Sequence, residues 1–135
     1  MVEQNIKQKQ EKSVVGLIEK IQIIGSKNTL TRTALFDTGA TTTSVNLRTA
    51  AKAGIGPIVG TVKIKNASMG SGFSRRPIAE ATLIVKGRTI KTNVNVVDRE
   101  EQSYQILIGR DIIHNNFYVD VSKTHKSKKV KDLKD

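Results

Sequence analysis

Apolar residues recur at alternate positions in several short stretches of the chain, and Gly, Asn or Lys separates one stretch from the next. Such alternation is typical of strands with one buried and one solvated face. In the segment 83–97, for example, it predicts that Lys91, Asn93 and Asn95 lie on the solvated face. Strands are predicted in the segments 14–25, 29–36, 60–85, 83–97, 104–108 and 117–121.

Turn signals inside these stretches predict two consecutive hairpins. The segment 60–85 has a Gly-rich centre, "SMGSGF", at 68–73, and Lys86 with Gly87 separates the next two strands. The first hairpin is therefore expected to have a mobile tip and the second a tight turn.

Helical signals are few. They are confined to the Ala-rich segment 46–54, which stops at Gly54, and to a short stretch after Gly109. Neither is long enough for an α/β architecture, and the recurrence of Val, Ile and Thr favours strands. The sequence predicts an all-β fold with one short helix.

A chain of 135 residues is the size of one domain. We predict a flexible N-terminal segment at 1–13, a folded domain at 14–121 and a basic flexible tail at 122–135. The chain has no Cys, which excludes disulfides and thiolate metal sites. Its polar N-terminus and the lack of a long apolar run predict a cytoplasmic protein without membrane contact.

The net charge of +11 is concentrated in part in the tail, where the segment 123–135 holds six Lys and two Asp. This tail is either a solvated end or an arm that attracts RNA or an acidic protein. Aromatic residues for base stacking are missing beside it. Nucleic acid is therefore expected as a partner only through the tail.

The stretch "TALFDTGATTTS" at 33–44 places Asp37 where an apolar strand ends and a loop begins. One interpretation is structural, an Asx turn or cap at the strand end. The other is catalytic, because Gly39 allows close approach of another backbone and Thr38 supplies a hydroxyl that donates and accepts. Asp37 is the leading candidate for chemistry.

The "DTGA" segment at 37–40, followed later by "ILIGRDII" at 106–113, resembles the retropepsin-type aspartic peptidases. With "SRRPI" at 74–78 and "VVDRE" at 97–101, the chain is most similar to the bacterial and archaeal retropepsin-like family labelled as ATP-dependent zinc proteases. The similarity spans about residues 14 to 122.

This resemblance implies a closed β-barrel that works as a homodimeric aspartic endopeptidase on peptide or protein substrates. Asp37 of each subunit would meet its copy on the two-fold axis, since Asp98, Asp111 and Asp120 are not followed by Thr-Gly or Ser-Gly. The resemblance assigns support of the active-site loops to Thr38, Gly39, Ala40, Ile108, Gly109 and Arg110. It assigns the flap over the substrate to Ser68, Met69, Gly70, Ser71, Gly72 and Phe73.

The zinc label has no counterpart in the residues. There is no "HExxH" motif and no Cys, and the chain has only two His, of which His125 lies in the basic tail. His114 is interpreted as a helix-surface or capping residue. We therefore predict no catalytic metal and no cofactor.

One departure from the retroviral pattern concerns Arg110. Thr41 stands where retroviral members carry an acidic partner for this Arg, so Asp111, Asp98 or Glu101 is expected to replace it.

Three further arginines, Arg75, Arg76 and Arg99, are either surface charges or a clamp for substrate carboxylates. Relatives of this family are associated with RimK-type ligases that add glutamate, so an acidic substrate is one hypothesis.

Two alternative functions stay open for the chain. One is an inactive dimeric peptide-binding module, and the other is a nucleic-acid-binding protein that uses the basic tail.

Overall fold

The computed structural model describes residues 11–65 and 72–124. The tip 68–71, and most of the N-terminal segment 1–13 and of the tail 122–135, lie outside the described residues. The strands are β1 (Ser13–Gly16), β2 (Ile18–Ile24), β3 (Thr29–Phe36), β4 (Ser44–Asn46), β5 (Ile58–Lys65), β6 (Phe73–Val85), β7 (Arg88–Val97), β8 (Ile106–Ile108) and β9 (Phe117–Asp120). The helices are α1 (Leu47–Ala53) and α2 (Arg110–Ile113).

Six of the strands form a closed barrel. Their order is β2-β3-β8-β4-β7-β6, and pairing of β6 back onto β2 closes the ring. The closing register places Gln22 opposite Ile84 and Ile24 opposite Thr82. Strand β5 lies outside the ring and pairs with β6. The predicted all-β closed barrel is confirmed.

Alternate residues of the strands fill the barrel interior. In β2 these are Ile21 and Ile23, and in the second half of β6 they include Leu83 and Val85. The solvated residues between them give these strands the period of two that the sequence shows. The other large apolar side chains that are fully buried in the described residues are Val15, Phe36, Val45, Val94, Ile106, Ile108 and Ile112.

Local turn chemistry explains the second hairpin and the end of α1. Lys86 and Gly87 have φ angles of 50° and 78°, the left-handed pair that a tight two-residue hairpin turn requires. Gly54 caps α1 with a φ of 76°, and its N–H donates to the carbonyl oxygen of Ala50. Both features follow the sequence prediction.

The two ends of the folded domain pair with each other. Strand β1 runs parallel to β9, with Ser13 opposite Phe117. Pairing thus begins one residue before the predicted start of the domain. The ring of Phe117 packs edge-on against that of Phe36, with centroids 6.1 Å apart. Because Phe36 immediately precedes Asp37, this contact connects the chain ends to the candidate site.

Among residues 11–65 and 72–124, no helix has the length and hydrophobicity needed to cross a membrane.

Candidate active site

Asp37 lies where two parallel neighbouring strands end. Phe36 closes β3 opposite Ile108, which closes β8. The backbone N–H of Asp37 donates to the carbonyl oxygen of Ile108 over 2.8 Å. Ends of parallel strands meet at one edge of a sheet, so the loops that follow them must lie side by side.

The loop after β3 is a tight turn that Asp37 itself stabilises. Its Oδ1 accepts a hydrogen bond of 2.8 Å from the N–H of Gly39, and its carbonyl oxygen accepts one from Ala40 over 3.1 Å. Asp37 therefore has the hydrogen bond of an Asx turn, as the structural interpretation predicted. The carboxylate is nevertheless only partly buried, and Thr38 and Gly39 are exposed. The turn presents Asp37 at an open surface.

The loop after β8 interlocks with this turn. A Cβ on Gly109 would lie 2.6 Å from the carbonyl oxygen of Thr42, a distance that side chains do not tolerate. After Gly109, the N–H of Arg110 donates to the carbonyl oxygen of Ala40 over 2.8 Å, and the N–H of Asp111 donates to the carbonyl oxygen of Thr41 over 3.2 Å. Gly109 is thus required for the close approach of the two loops.

Thr43, which is buried, and Asp111, which is exposed, form a polar junction between the loops. The Thr43 hydroxyl donates to Asp111 Oδ1 over 2.7 Å and accepts from the N–H of Gly109 over 3.1 Å. The N–H of Thr43 donates to Asp111 Oδ2 over 3.1 Å. Asp111 therefore acts as a structural acceptor. Nothing in the sequence pattern distinguished Thr43 from its neighbours.

Arg110 does not take the partners expected for it. Its guanidinium donates to the carbonyl oxygen of Thr38 over 2.9 Å and to the hydroxyl of Thr41 over 3.3 Å. In the described part of the chain, none of the suggested carboxylates pairs with it, because the loop itself offers these oxygen acceptors. Arg110 holds the outer part of the Asp37 turn in place.

Asn95 was predicted on the solvated face and is in fact buried, with 3% of its surface exposed. Its amide nitrogen donates to the Thr42 hydroxyl over 3.1 Å and to the Thr43 carbonyl over 3.0 Å. Its amide oxygen accepts from Ser44 over 2.9 Å and from Arg76 over 3.1 Å. The prediction was wrong because β4 pairs with β7 and brings the polar loop 42–44 against this position.

Two of the three arginines, Arg76 and Arg99, lie within electrostatic range of each other, and Arg99 also lies within electrostatic range of Asp37. Burial lowers the pKa of Arg76. The pKa of Arg99 is lowered by burial and then by the charge of Arg76, whereas the charge of Asp37 raises it. Arg75 instead lies exposed on the other face of β6.

The hydrogen bonds of Arg76 and Arg99 within the described residues do not use all of their guanidinium N–H donors. The Nε of Arg99 donates to the Tyr104 carbonyl over 3.0 Å, and the side chain of Asn46 accepts from the Arg99 backbone over 2.7 Å. The Nε of Arg76 is buried and has no acceptor among residues 11–65 and 72–124. A buried donor without a partner favours an acceptor supplied from outside.

The remaining aspartates of the domain are occupied away from Asp37. Asp98 accepts from the N–H of Glu100 over 2.9 Å, and Asp120 accepts from the hydroxyl of Ser122 over 2.6 Å. The hydrogen bonds from Ser122 lower the pKa of Asp120. Of the described residues, no three His, Asp or Glu side chains are grouped so as to bind a metal ion.

The predicted site residues are thus brought together in part. Thr38, Gly39, Ala40, Ile108, Gly109 and Arg110 all lie within the two interlocked loops around Asp37. Of the predicted flap, Ser68, Met69, Gly70 and Ser71 lie outside the described residues. Gly72 immediately precedes β6, and Phe73 is the first residue of that strand and is exposed.

Comparison with protein families gives a match over residues 48–130, to the model described as RimB-like, retropepsin-like aspartic endopeptidase RimB. The matched range contains Arg76, Arg99, Gly109 and Arg110 and begins after the Asp37 turn. The zinc-protease label is not part of that description. No curated protein matches the chain.

Solved structures share the fold. A Legionella pneumophila protein of unknown function, Lpg0085, is 22% identical with a TM-score of 0.57, and the match covers 86% of this chain and 98% of that one. The EIAV protease complexed with the inhibitor HBY-793 is also 22% identical, with a TM-score of 0.55 and coverage of 73% and 85%. These likenesses establish a retropepsin-like barrel.

Proposed function

Because the chain belongs to the RimB-like family of retropepsin-like aspartic endopeptidases, we propose that it hydrolyses peptide bonds with Asp37 as its catalytic residue. The observation that carries this proposal is the position of Asp37. Its carboxylate stands at the junction of two interlocked loops, on a turn whose neighbours Thr38 and Gly39 are exposed. A substrate and a second subunit can both reach it there.

The active unit is a homodimer. The chain has one Asp-Thr-Gly segment, whereas aspartic peptidase chemistry needs two adjacent carboxylates. Asp98, Asp111 and Asp120 are each engaged by other groups, so they are poor candidates for the second carboxylate. A two-fold contact between two Asp37 turns supplies it, because such a contact pairs each residue with its own copy.

In this dimer the two Asp37 carboxyl groups share one proton, since like charges in contact cannot both ionise. The ionised Asp37 removes a proton from a water molecule, and the resulting hydroxide attacks the scissile carbonyl carbon. The neutral Asp37 donates its proton to the carbonyl oxygen. The C–N bond of the intermediate then breaks as the amide nitrogen accepts a proton from the neutral Asp37, and a hydroxyl of the intermediate gives its proton to the ionised Asp37, which restores the dyad.

Arg76 and Arg99 favour substrates with acidic side chains. They are partly buried and repel each other, and Arg99 lies within electrostatic range of Asp37. A carboxylate between them would relieve the repulsion and give the Nε of Arg76 an acceptor. This supports the hypothesis of glutamate-rich substrates.

The first test is Asp37→Asn, which removes the ionisable group and keeps its shape. Turnover of a peptide substrate should fall by at least about 100-fold, the lower range of general acid–base catalysis. Sedimentation should still show the dimer. Asp98→Asn, an exposed aspartate, is the control and should retain activity. If Asp37→Asn hydrolyses peptides as well as the parent does, the proposal fails, and if neither form hydrolyses any, the chain is a binding module.

The second test concerns substrate choice. For a glutamate-rich peptide, kcat/KM should fall by about tenfold in Arg99→Gln and in Arg76→Gln, since each change removes a charged hydrogen-bond donor. A neutral peptide should be affected much less. Arg75→Gln, on the opposite face of the hairpin, is the matched control. Equal rates for acidic and neutral peptides at low salt in the parent protein would exclude the acidic preference.

A further inference from the structure

The hairpin of β5 and β6 has a second cationic surface, on the face opposite Arg76. Residues directly opposite each other in adjacent strands share a face, and the register pairs Lys63 with Arg75 and Lys65 with Phe73. We call the exposed side chains of Thr61, Lys63, Lys65, Phe73 and Arg75 the outer hairpin face.

Two like charges in a directly opposed pair destabilise a sheet. Lys63 and Arg75 form such a pair, and the whole segment 58–79 contains four cationic side chains and no acidic one. The contacts that the structure describes do not neutralise this charge. The Nζ of Lys63 lies 5.2 Å from the centre of the Phe73 ring, and Arg75 makes a weak hydrogen bond of 3.4 Å to the hydroxyl of Thr61. The outer hairpin face is therefore suited to an anionic partner.

The backbone edge beside this face has no paired strand among residues 11–65 and 72–124. In this part of the chain, strand β5 is the last in its sheet and pairs with β6 on one side only. Pro77 lies opposite Thr61 and has no N–H to donate. Thr61 and Pro77 are therefore a non-hydrogen-bonded pair of the antiparallel ladder, in which the backbone groups of each residue point away from the other strand. By alternation, the N–H and C=O groups of Thr61, Lys63 and Lys65 point outward. An added strand could pair with them.

We propose that the free edge of β5 and the outer hairpin face together bind an acidic, extended segment of a partner protein by strand addition. The main chain of the segment pairs with Thr61, Lys63 and Lys65, and its alternate side chains then fall on the outer face. Acidic residues at every second position lie beside Lys63 and Lys65. This surface is separate from the Arg76 side of the hairpin, so the proposal holds whether or not Asp37 is catalytic.

A protein segment fits this surface better than a nucleic acid. The open edge offers alternating backbone donors and acceptors, which match another peptide chain. Phe73, which is 56% exposed, lies under Lys63 instead of being open to a base. Stacking on exposed aromatic rings is what single-stranded nucleic acids need in addition to charge.

The experiment measures binding of a fluorescent ten-residue peptide of alternating Glu and Thr to the full chain, carrying Asp37→Asn so that hydrolysis cannot interfere. Lys63→Glu with Lys65→Glu should weaken binding by about tenfold or more. Lys20→Glu with Lys91→Glu changes the net charge equally at exposed positions elsewhere and should weaken it by about twofold at most.

A second variant tests strand addition itself. Thr61→Pro removes an outward-facing N–H and leaves the β5–β6 hydrogen bonds intact, since Pro is accepted on the solvent side of an edge strand. It should keep the thermal stability of the parent and lose about tenfold in peptide affinity.

Three results would overturn the proposal. Equal losses from the two double variants would mean that only net charge matters. A loss with Arg76→Gln and Arg99→Gln, without one in Lys63→Glu with Lys65→Glu, would place the peptide beside Arg76 and Arg99 and leave the peptidase proposal intact. Tighter binding of a uridine decanucleotide than of the peptide, with the same dependence on Lys63 and Lys65, would assign the surface to nucleic acid.

Discussion

Thr43 is fully buried between the two loops of the site, where its hydroxyl joins Gly109 to Asp111. Asp37 depends on this junction because, among the described residues, its own hydrogen bonds join it only to Ile108 and to Gly39 and Ala40 of its turn. Residues that never touch a substrate therefore hold the carboxylate in position, and their effects are expected to be seen in stability as well as in activity.

Gly109→Ala should destabilise the protein by about 1–3 kcal/mol, the usual cost of inserting a methyl group into a packed position. The added Cβ would meet the Thr42 carbonyl at 2.6 Å, and backbone atoms must move to relieve this clash. Urea denaturation would measure the change. Gly60→Ala is the matched control, since its Cβ would meet nothing within 4 Å. Equal stabilities of the two variants would contradict the proposed interlocking of the loops.

Sequence reasoning located the central residue of the site and missed those that hold it. Asp37 could be identified because a motif marks it, and Gly109 because it ends an apolar strand. Asn95 and Thr43 carry no such signal. The alternating pattern of β7 gives the two faces of the strand, but it does not show that the interior beside Asn95 is filled by the polar loop 42–44, which comes from a distant part of the chain.

At the scale of elements, β9 connects the end of the folded domain to the site through its aromatic residues. Phe117 and Tyr118 are adjacent and point to opposite sides. Phe117 is buried against Phe36, whereas Tyr118 is exposed beneath Lys12. The strand thus offers two aromatic positions of very different burial for comparison.

Phe117→Ala should cost about 3–5 kcal/mol of folding free energy, because it removes a buried ring and leaves a cavity beside Phe36. Tyr118→Ala should cost less than about 1 kcal/mol, the value of an exposed cation–π contact. Chemical denaturation would compare them, and Phe117→Leu would serve if the Ala variant does not fold. A larger loss at Tyr118 would mean that β9 does not pack as described.

The sequence predicts elements well where local chemistry defines them. The Lys86–Gly87 turn and the Gly54 cap are examples, since left-handed backbone angles favour particular residues. Strand β4 was not predicted, because "SVN" is short and mostly polar. Its residues are buried by pairing with β7 and β8, and such parallel and long-range pairings leave no mark on three residues.

At the scale of the whole molecule, the proposed dimer makes activity depend on concentration. If both carboxylates of a site come from different subunits, the specific activity should fall as the protein is diluted through its dimer dissociation constant. Parallel sedimentation measurements would supply that constant. Unchanged specific activity in a dilution range where sedimentation shows only monomers would rule out a shared Asp37 dyad.

In the part of the chain that the structure describes, strand β5 has an unpaired edge next to a closed barrel, and exposed edges of this kind can seed fibres when copies of one protein stack on each other. In this protein, such stacking would bring Lys63 and Lys65 of one copy close to the cationic side chains of the next copy, and the segment 58–79 has no acidic residue to neutralise them. The charge that is proposed to attract an acidic segment to β5 is therefore also expected to oppose polymerisation of the protein with itself. That protection is electrostatic, so it should weaken in concentrated salt.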